Sequence, residues 1–478
     1  MNTKLLLPFF LAATTLSACS IAPTYVRPTA PVTKEWPVAS GIGTMPPTAP
    51  SSTAPQSGEQ PRTTDIGWRS MFRSPKLQSI IEESLTNNRD LRIATLNIEA
   101  ARHTYRIQRS DLLPSINASG SFTRQESRNG TGQAEITSTY TAGIGTTAYE
   151  LDLFGRVRSL SNRAINQYLA TEEGRKAAQT SLVAEVANAY LTYLADVELL
   201  RLTESTLKTR LDGFDLIKRS FDLGAKSRLD VAQAATLVES ARVNRAQYQR
   251  QVEQDRNALT LLVGKEIDPK LLEPQPLADL QILNTLPVGI PSVVLLDRPD
   301  IRQAEFSLKA ENANIGAARA SLFPSISLTG SAGFASASLS DLFVTNSSGL
   351  WSFAPQVTLP IFQGGRLRSN LKLAETNRDI ALARYEKAIQ TAFREVADAL
   401  VARATWTEQL RAQRALLKES DQTSTITKAR YEHGIDSYFA LLDAQRSLFE
   451  AQQNEILIHQ QTLANMIDLY KALGGGWQ

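Results

Sequence analysis

The chain is written twice. Its second half follows the first at a constant offset of 210 residues, with matches spread over most of both copies. Asn88-Arg89-Asp90-Leu91 is answered by Arg298-Pro299-Asp300-Ile301, and Leu112-Leu113-Pro114-Ser115-Ile116 by Leu322-Phe323-Pro324-Ser325-Ile326. Gly155-Arg156 falls on Gly365-Arg366, Glu185-Val186-Ala187-Asn188 on Glu395-Val396-Ala397-Asp398, Gly224 on Gly434, Leu259 on Leu469 and Gly264 on Gly474. Solenoid units run to roughly 20–50 residues, so this period describes a tandem duplication of one large unit. The fold must be quasi-symmetric, each half supplying equivalent pieces.

Proline placement narrows those pieces. Ten of the 21 prolines precede Arg62, none lies between Pro114 and Pro269, and none follows Pro360. Proline costs about 3 kcal/mol inside a helix, so the two proline-free runs predict very long helices. The net charge of +3 is small and no lysine/arginine block stands out, which argues against a nucleic-acid partner.

The first residues form a targeting segment: Lys4, an apolar run from Leu5 to Leu16, then Leu16-Ser17-Ala18-Cys19. The last four match a bacterial lipobox, which makes residues 1–18 a lipoprotein signal peptide and Cys19 the acylated N-terminus. Cys19 is the only cysteine, so no disulfide can form within the chain. Ser20, a non-aspartate, directs such a lipoprotein to the outer membrane. No later run of about 20 apolar residues exists to make a transmembrane helix.

Residues 19–67, rich in Pro, Thr, Ser, Ala and Gly, predict an extended arm without its own core. Residues 68–267 are the first structural repeat, 268–296 a linker, and 297–478 the second repeat. Each repeat opens with a helix; the first spans Lys76 to about Asp111. Two alternating stretches follow, roughly Ile116–Arg124 and Tyr140–Leu153, then Ile326–Phe334 and Trp351–Phe362 in the second copy. There Ile326, Leu328, Gly330, Ala332 and Phe334 share one face, as do Trp351, Phe353, Val357, Leu359 and Ile361, with Ser, Thr and Gln mostly opposite. Segments of about ten residues, apolar on one side and small-polar on the other, are the pattern of barrel strands in a membrane.

Four strands cannot close a barrel, and lipid does not tolerate an open sheet edge. Either several copies pool their strands, a dimer giving eight and a trimer twelve, or these are not membrane strands. After each strand pair comes a long helical run, Arg156 to about Leu223 and Leu367 to about His433, then a glycine and a returning helix, Ser227–Val263 and Ser437–Leu473. Val186, Tyr193 and Leu200 lie seven apart, as do Leu442, Phe449, Ile456, Leu463 and Tyr470, which predicts coiled-coil-like packing.

With these motifs in view, the sequence resembles the TolC-type outer membrane factors, and more closely their lipoprotein branch, the OprM-like channels of resistance-nodulation-division (RND) multidrug efflux systems. The resemblance runs from the lipobox and Pro23-Thr24-Tyr25 through Asn87-Asn88-Arg89-Asp90-Leu91 and Tyr149-Glu150-Leu151-Asp152-Leu153-Phe154-Gly155-Arg156. It continues through Leu441-Leu442-Asp443-Ala444-Gln445-Arg446-Ser447-Leu448 to Tyr470-Lys471-Ala472-Leu473-Gly474-Gly475-Gly476-Trp477. It implies a mainly α chain with a membrane β-barrel: a homotrimer with a twelve-stranded barrel in outer membrane lipid and a periplasmic α-helical tunnel. A periplasmic adaptor (membrane fusion protein) and an inner-membrane RND pump would dock at the far end, and drugs would leave through the lumen.

No catalytic or metal constellation is present. His103, His433 and His459 are scattered, and no HExxH or GxGxxG occurs. The expected activity is permeation, without enzyme chemistry and without a cofactor beyond the lipid on Cys19. The turns at Gly224 and Gly434 are the candidate adaptor-facing tips. By the resemblance, Asp443 is the periplasmic gate aspartate and Phe439, one turn earlier, its apolar ring. Asp230 is the tip aspartate that bonds a neighbouring helix pair, and Tyr431 its partner. Ala440 and Asp436 stand where TolC has a second gate aspartate and an arginine, so a TolC-like salt-bridge latch should be weaker here or differently wired. Converging Asp443 carboxylates would repel one another and attract cations, as charged rings in pores do. A duct for type I protein secretion or metal efflux is the alternative within transport, and a lipid-anchored periplasmic adaptor the alternative outside it. An adaptor has one helical hairpin, whereas this chain has two.

Overall fold

The computed structural model describes residues 21–33, 36, 66–128, 130, 132–283, 286, 295–344, 348–475 and 477. The signal segment, Cys19, most of the arm and part of the 268–296 linker lie outside the described residues. The helices are α1 (Trp68–Met71), α2 (Pro75–Asn87), α3 (Arg89–Ser110), α4 (Arg156–Asp222), α5 (Arg228–Val263), α6 (Pro299–Ala320), α7 (Arg366–Glu432) and α8 (Tyr438–Ala472). The strands are β1 (Asn117–Arg128), β2 (Ala134–Leu151), β3 (Ser325–Ser336) and β4 (Gly349–Thr358). Shifting α3 and α4 by 210 residues superimposes their bounds on those of α6 and α7. At 67 residues each, α4 and α7 are about 100 Å long.

The opening helix of the first repeat differs from expectation. Asn88 (ψ 131°) breaks it into α2 and α3. Its side chain accepts from the Leu91 amide at 2.9 Å and donates to the Leu262 carbonyl at 2.8 Å. Arg298 does the corresponding work in the second copy, donating to the Ala472 carbonyl at 2.7 Å. Leu262 and Ala472 are themselves equivalent, so each repeat uses buried polar side chains, Asn88 with Ser84 in the first and Arg298 in the second, to satisfy a carbonyl that its returning helix leaves unpaired at its C-terminus.

The residues fall into two compact units, each drawing on both repeats: Met1–Thr29, Leu96–Glu172 and Gln303–Glu386 in one, and Ala30–Thr95, Glu173–Arg302 and Lys387–Gln478 in the other. The first holds the sheet, antiparallel in the order β1-β2-β3-β4. Residues of the arm lie on α6 in this unit. Arg27 grips the carboxylate of buried Glu305 at 3.0 and 2.7 Å. Asn312 donates to the Pro23 carbonyl at 2.8 Å, and Gly316 leaves the space Ala22 occupies, since a Cβ there would meet that of Ala22 at 2.6 Å.

The second unit holds a helical core in which Tyr190, Tyr470, Phe72, Met71, Leu191 and Leu194 are fully buried. Of the two heptad series, Val186, Tyr193, Phe449, Ile456 and Tyr470 are buried, as coiled-coil-like seams require.

Candidate functional site: the sheet faces and the helical tips

The sheet register sorts its side chains by chemistry. On one face Phe122 opposes Tyr140, Ile144 opposes Ala332, Ala332 opposes Trp351, Gly330 opposes Phe353 and Ile326 opposes Val357. On the other, Ser121 bonds Thr141 at 2.7 Å and Ser331 bonds Ser352 at 2.8 Å. A bulge between Thr146 and Tyr149 restores the alternation, so that Tyr149 and Leu151 join the apolar face and Glu150 the polar one. The apolar face is bare: Trp351 is 78 % and Phe353 63 % exposed. An apolar surface of this extent needs a nonaqueous neighbour. Leu359 and Ile361, expected on this face, lie beyond the end of β4 at Thr358. Pro360 there lacks the amide a ladder needs.

Both tip turns are built alike in the second unit. Gly224 (φ 78°) and Gly434 (φ 75°) end α4 and α7 in the left-handed region, where a Cβ costs about 1–2 kcal/mol. Ala225 donates to the Ser220 carbonyl and Gly224 to that of Phe221, both at 2.8 Å. Ile435 and Gly434 repeat the pattern on Arg430 and Tyr431 at 2.9 Å, so each tip is a Schellman closure. Ser227 then caps α5 and Ser437 caps α8.

The two tips differ in their charges. Asp230 completes a capping box, accepting from the Ser227 amide at 2.9 Å and from its hydroxyl at 2.8 Å. Those bonds to the Ser227 amide and hydroxyl hold its carboxyl below the usual range. Ala440 stands at the equivalent place in the second copy and cannot reciprocate. There Arg430 instead spans the turn to Asp436 at 2.8 and 3.0 Å, which lowers the Asp436 pKa.

Beneath the tips Ile217, Val231, Ala234, Tyr438 and Leu441 form a buried cluster, with Phe214, Phe221, Tyr431 and Leu442 against it. Burial and the nearby Tyr431 and Asp230 push the Tyr438 hydroxyl up to about 12. Tyr431 tilts on Tyr438 with centroids 5.6 Å apart and receives the Lys226 ammonium at 4.9 Å. Asp230 and Tyr431 are thus brought to one place, but within this chain Asp230 is occupied by Ser227 rather than by the tyrosine.

Asp443 and Phe439, four apart on α8, share a helix face. Phe439 is 62 % exposed. Asp443 is ion-paired with Arg446 on the next turn, both side chains being more than half exposed. Sequence reasoning missed this arginine, whose signal was its i,i+3 spacing from the aspartate. Among the described residues no group of three or more His, Cys, Asp or Glu is placed to hold a metal, and no helix is long and apolar enough to cross a membrane.

A bare apolar sheet face and paired helical hairpins closing on glycine tips define a membrane channel with strands for the lipid and helices for the aqueous side. The outer membrane efflux protein family model matches residues 80–265 and 290–475, two copies at the same offset of 210, and the chain belongs to that family. It is 48 % identical to the probable efflux pump outer membrane protein TtgC of Pseudomonas putida, over 99 % of this chain and 96 % of the relative. It is 45 % identical to the outer membrane protein OprJ of Pseudomonas aeruginosa, over 98 % and 95 %. Among solved structures, the open-state MtrE outer membrane channel of Neisseria gonorrhoeae is similar at a TM-score of 0.85 and 39 % identity, over 96 % of this chain and 99 % of that one. The fold is TolC-like and the protein resides in the outer membrane, extending into the periplasm.

Proposed function

We propose that this protein is the passive exit duct of a tripartite RND-type multidrug efflux system, working as a homotrimer. The observation that carries the reading is a four-stranded sheet whose outer strands, β1 and β4, each pair on one side only, beneath a bare apolar face. In lipid those edges must be paired. Three copies joined β4 to β1 give a twelve-stranded barrel, apolar outside and hydroxyl-lined within. Names among the relatives, which include antibiotic, toluene and solvent efflux pump outer membrane proteins of Pseudomonas putida, support drugs and solvents as cargo.

The tips at Gly224 and Gly434 would meet a periplasmic adaptor coupled to an inner-membrane pump. Exposed Leu223, Leu229 and Ile435 around them support a protein partner. Asp443 and Phe439 would form the gate, one acidic and one apolar ring at the returning helices, with Arg446 restraining Asp443 until the ring opens. Asp230 and Tyr431 are tip contacts to the adjoining helices, and acylated Cys19 adds an anchor. The duct performs no catalysis and needs no cofactor.

The test is a deletion strain with wild-type and altered copies added back. Sensitisation to several unrelated antibiotics, reversed by the wild-type gene, is the expected outcome. Unchanged drug sensitivity would redirect the reading to protein secretion or metal export.

A further inference from the structure

The duplication allows each repeat to serve as a control for the other, and at the base of the sheet they differ in charge. In the first repeat Arg156 is held by Glu150, Nε at 2.8 Å and Nη2 at 2.5 Å. Asp152 takes the Arg158 side chain at 3.0 Å and accepts from the Val157 and Arg158 amides at 3.0 and 2.9 Å. Asp111 is close enough to act on the Arg156 guanidinium as well. At the offset of 210 the arginines persist as Arg366 and Arg368, but Glu150, Asp152 and Asp111 become Pro360, Phe362 and Ser321. All three carboxylates are gone. Among the described residues neither arginine forms an ion pair, and Arg366 has only the Gln363 side-chain oxygen.

A cleft of about 360 Å³ lies against Arg366, walled by Ser321, Ser325, Thr358 and Asn370 and, from the first repeat, by Glu150 and Asp152. Those two carboxylates are each neutralised by their own arginine, so they do not offset the unpaired guanidinium. Of the strand positions in its wall, Glu150, Ser325 and Thr358 belong to the hydroxyl-bearing face of the sheet, by the register in which Glu150 opposes Ser327 and Ser325 opposes Thr358, and Leu151 at the end of β2 belongs to the apolar face. The polar groups of its wall therefore lie on the polar side, which is water-filled if the duct reading holds; the inference rests on that reading for access.

We propose that the second repeat carries here a binding site for small oxyanions, carboxylates and phosphates, which the first repeat fills with its own side chains. A planar guanidinium matches a carboxylate or phosphate oxygen pair, and the hydroxyls and amide of Ser325, Thr358 and Asn370 supply further donors. One accessible arginine supports weak, roughly millimolar binding, enough to enrich anionic solutes in passage without trapping them. Three copies would present three such sites.

The experiment uses the purified full-length protein in detergent and reads the ³¹P line broadening of inorganic phosphate, with acetate as competitor. Wild type should broaden the line, and acetate should reverse it. Arg366→Gln should reduce the effect at least about fivefold. Pro360→Glu should do the same by restoring the carboxylate that holds the equivalent Arg156 in the first repeat, and Ser321→Asp, at the place of Asp111, provides an independent restoration should Pro360→Glu fail to fold. Undiminished broadening in Arg366→Gln, or none in the wild type, overturns the site; the latter is also expected if a neighbouring copy's carboxylate fills the cleft. Bilayer conductance of the same sample tests the duct separately, since phosphate binding without conductance would defeat the duct and leave the site standing.

Discussion

Asp230 and Ala440 occupy the same place in the two repeats, and the difference reaches stability. Removing a serine cap costs about 1 kcal/mol, so Ser227→Ala should lower the stability to unfolding by that order. Ala440→Asp, which completes the box with Ser437, should raise it; denaturant melts of both variants decide. Because the Asp230 carboxyl is held below its ordinary value, its contribution is complete above the unfolded pKa of about 3.9 and is lost as pH falls through the lower folded value. At the proposed gate, Asp443→Ala combined with Phe439→Ala should make cells more permeable to bulky antibiotics and raise single-channel conductance. Unchanged uptake and conductance in the double variant would remove these residues from the gate. Arg446→Ala should loosen the same point through Asp443 alone.

The α4/α5 hairpin carries a second pH dependence of opposite sign. Asp196 on α4 and Asp255 on α5 face each other half-buried, and burial together with the neighbouring Asp196 carboxyl pushes Asp255 up to about 7. Asp196 is raised as well, by burial. A carboxyl whose folded pKa is raised binds its proton more tightly in the native state. Stability therefore falls as pH climbs from about 4 toward 7 and stays low above it. Asp255→Asn should flatten that slope and raise the thermal midpoint at pH 8, measured by circular dichroism between pH 4 and 8; an unchanged slope would show the pair separated in solution. Most elements were legible in the sequence because their signals are local. Proline absence marked α4 and α7, and Gly224 and Gly434 marked their ends to within a residue. The break at Asn88 was not legible, since it depends on a bond from Asn88 to the Leu262 carbonyl, far along the chain.

Which sheet face meets lipid is decided by where a charge is tolerated. Lysine at the midplane of a barrel's outer face costs about 2–4 kcal/mol, whereas a lumen-facing position bears it. Trp351→Lys should therefore reduce outer membrane assembly and the yield of oligomer, and Ser352→Lys should not; equal yields would contradict the assignment of faces. Chemical crosslinking of the wild type should end at three copies.

Taken alone, the sequence determined the duplication, the helical lengths, the alternation of the strands and the glycine tips, because each is written in residues close together in the chain. It also determined the need for an oligomer, since four strands leave two edges that lipid cannot satisfy. Tertiary structure alone decided where charges are spent. Asp230 caps its own helix, Asp443 is restrained by Arg446, Arg430 crosses its turn to Asp436, and Arg366 is left without the carboxylates its counterpart enjoys. Ion pairing depends on side-chain positions within a few ångströms, and a linear pattern of residue types does not specify distances at that scale.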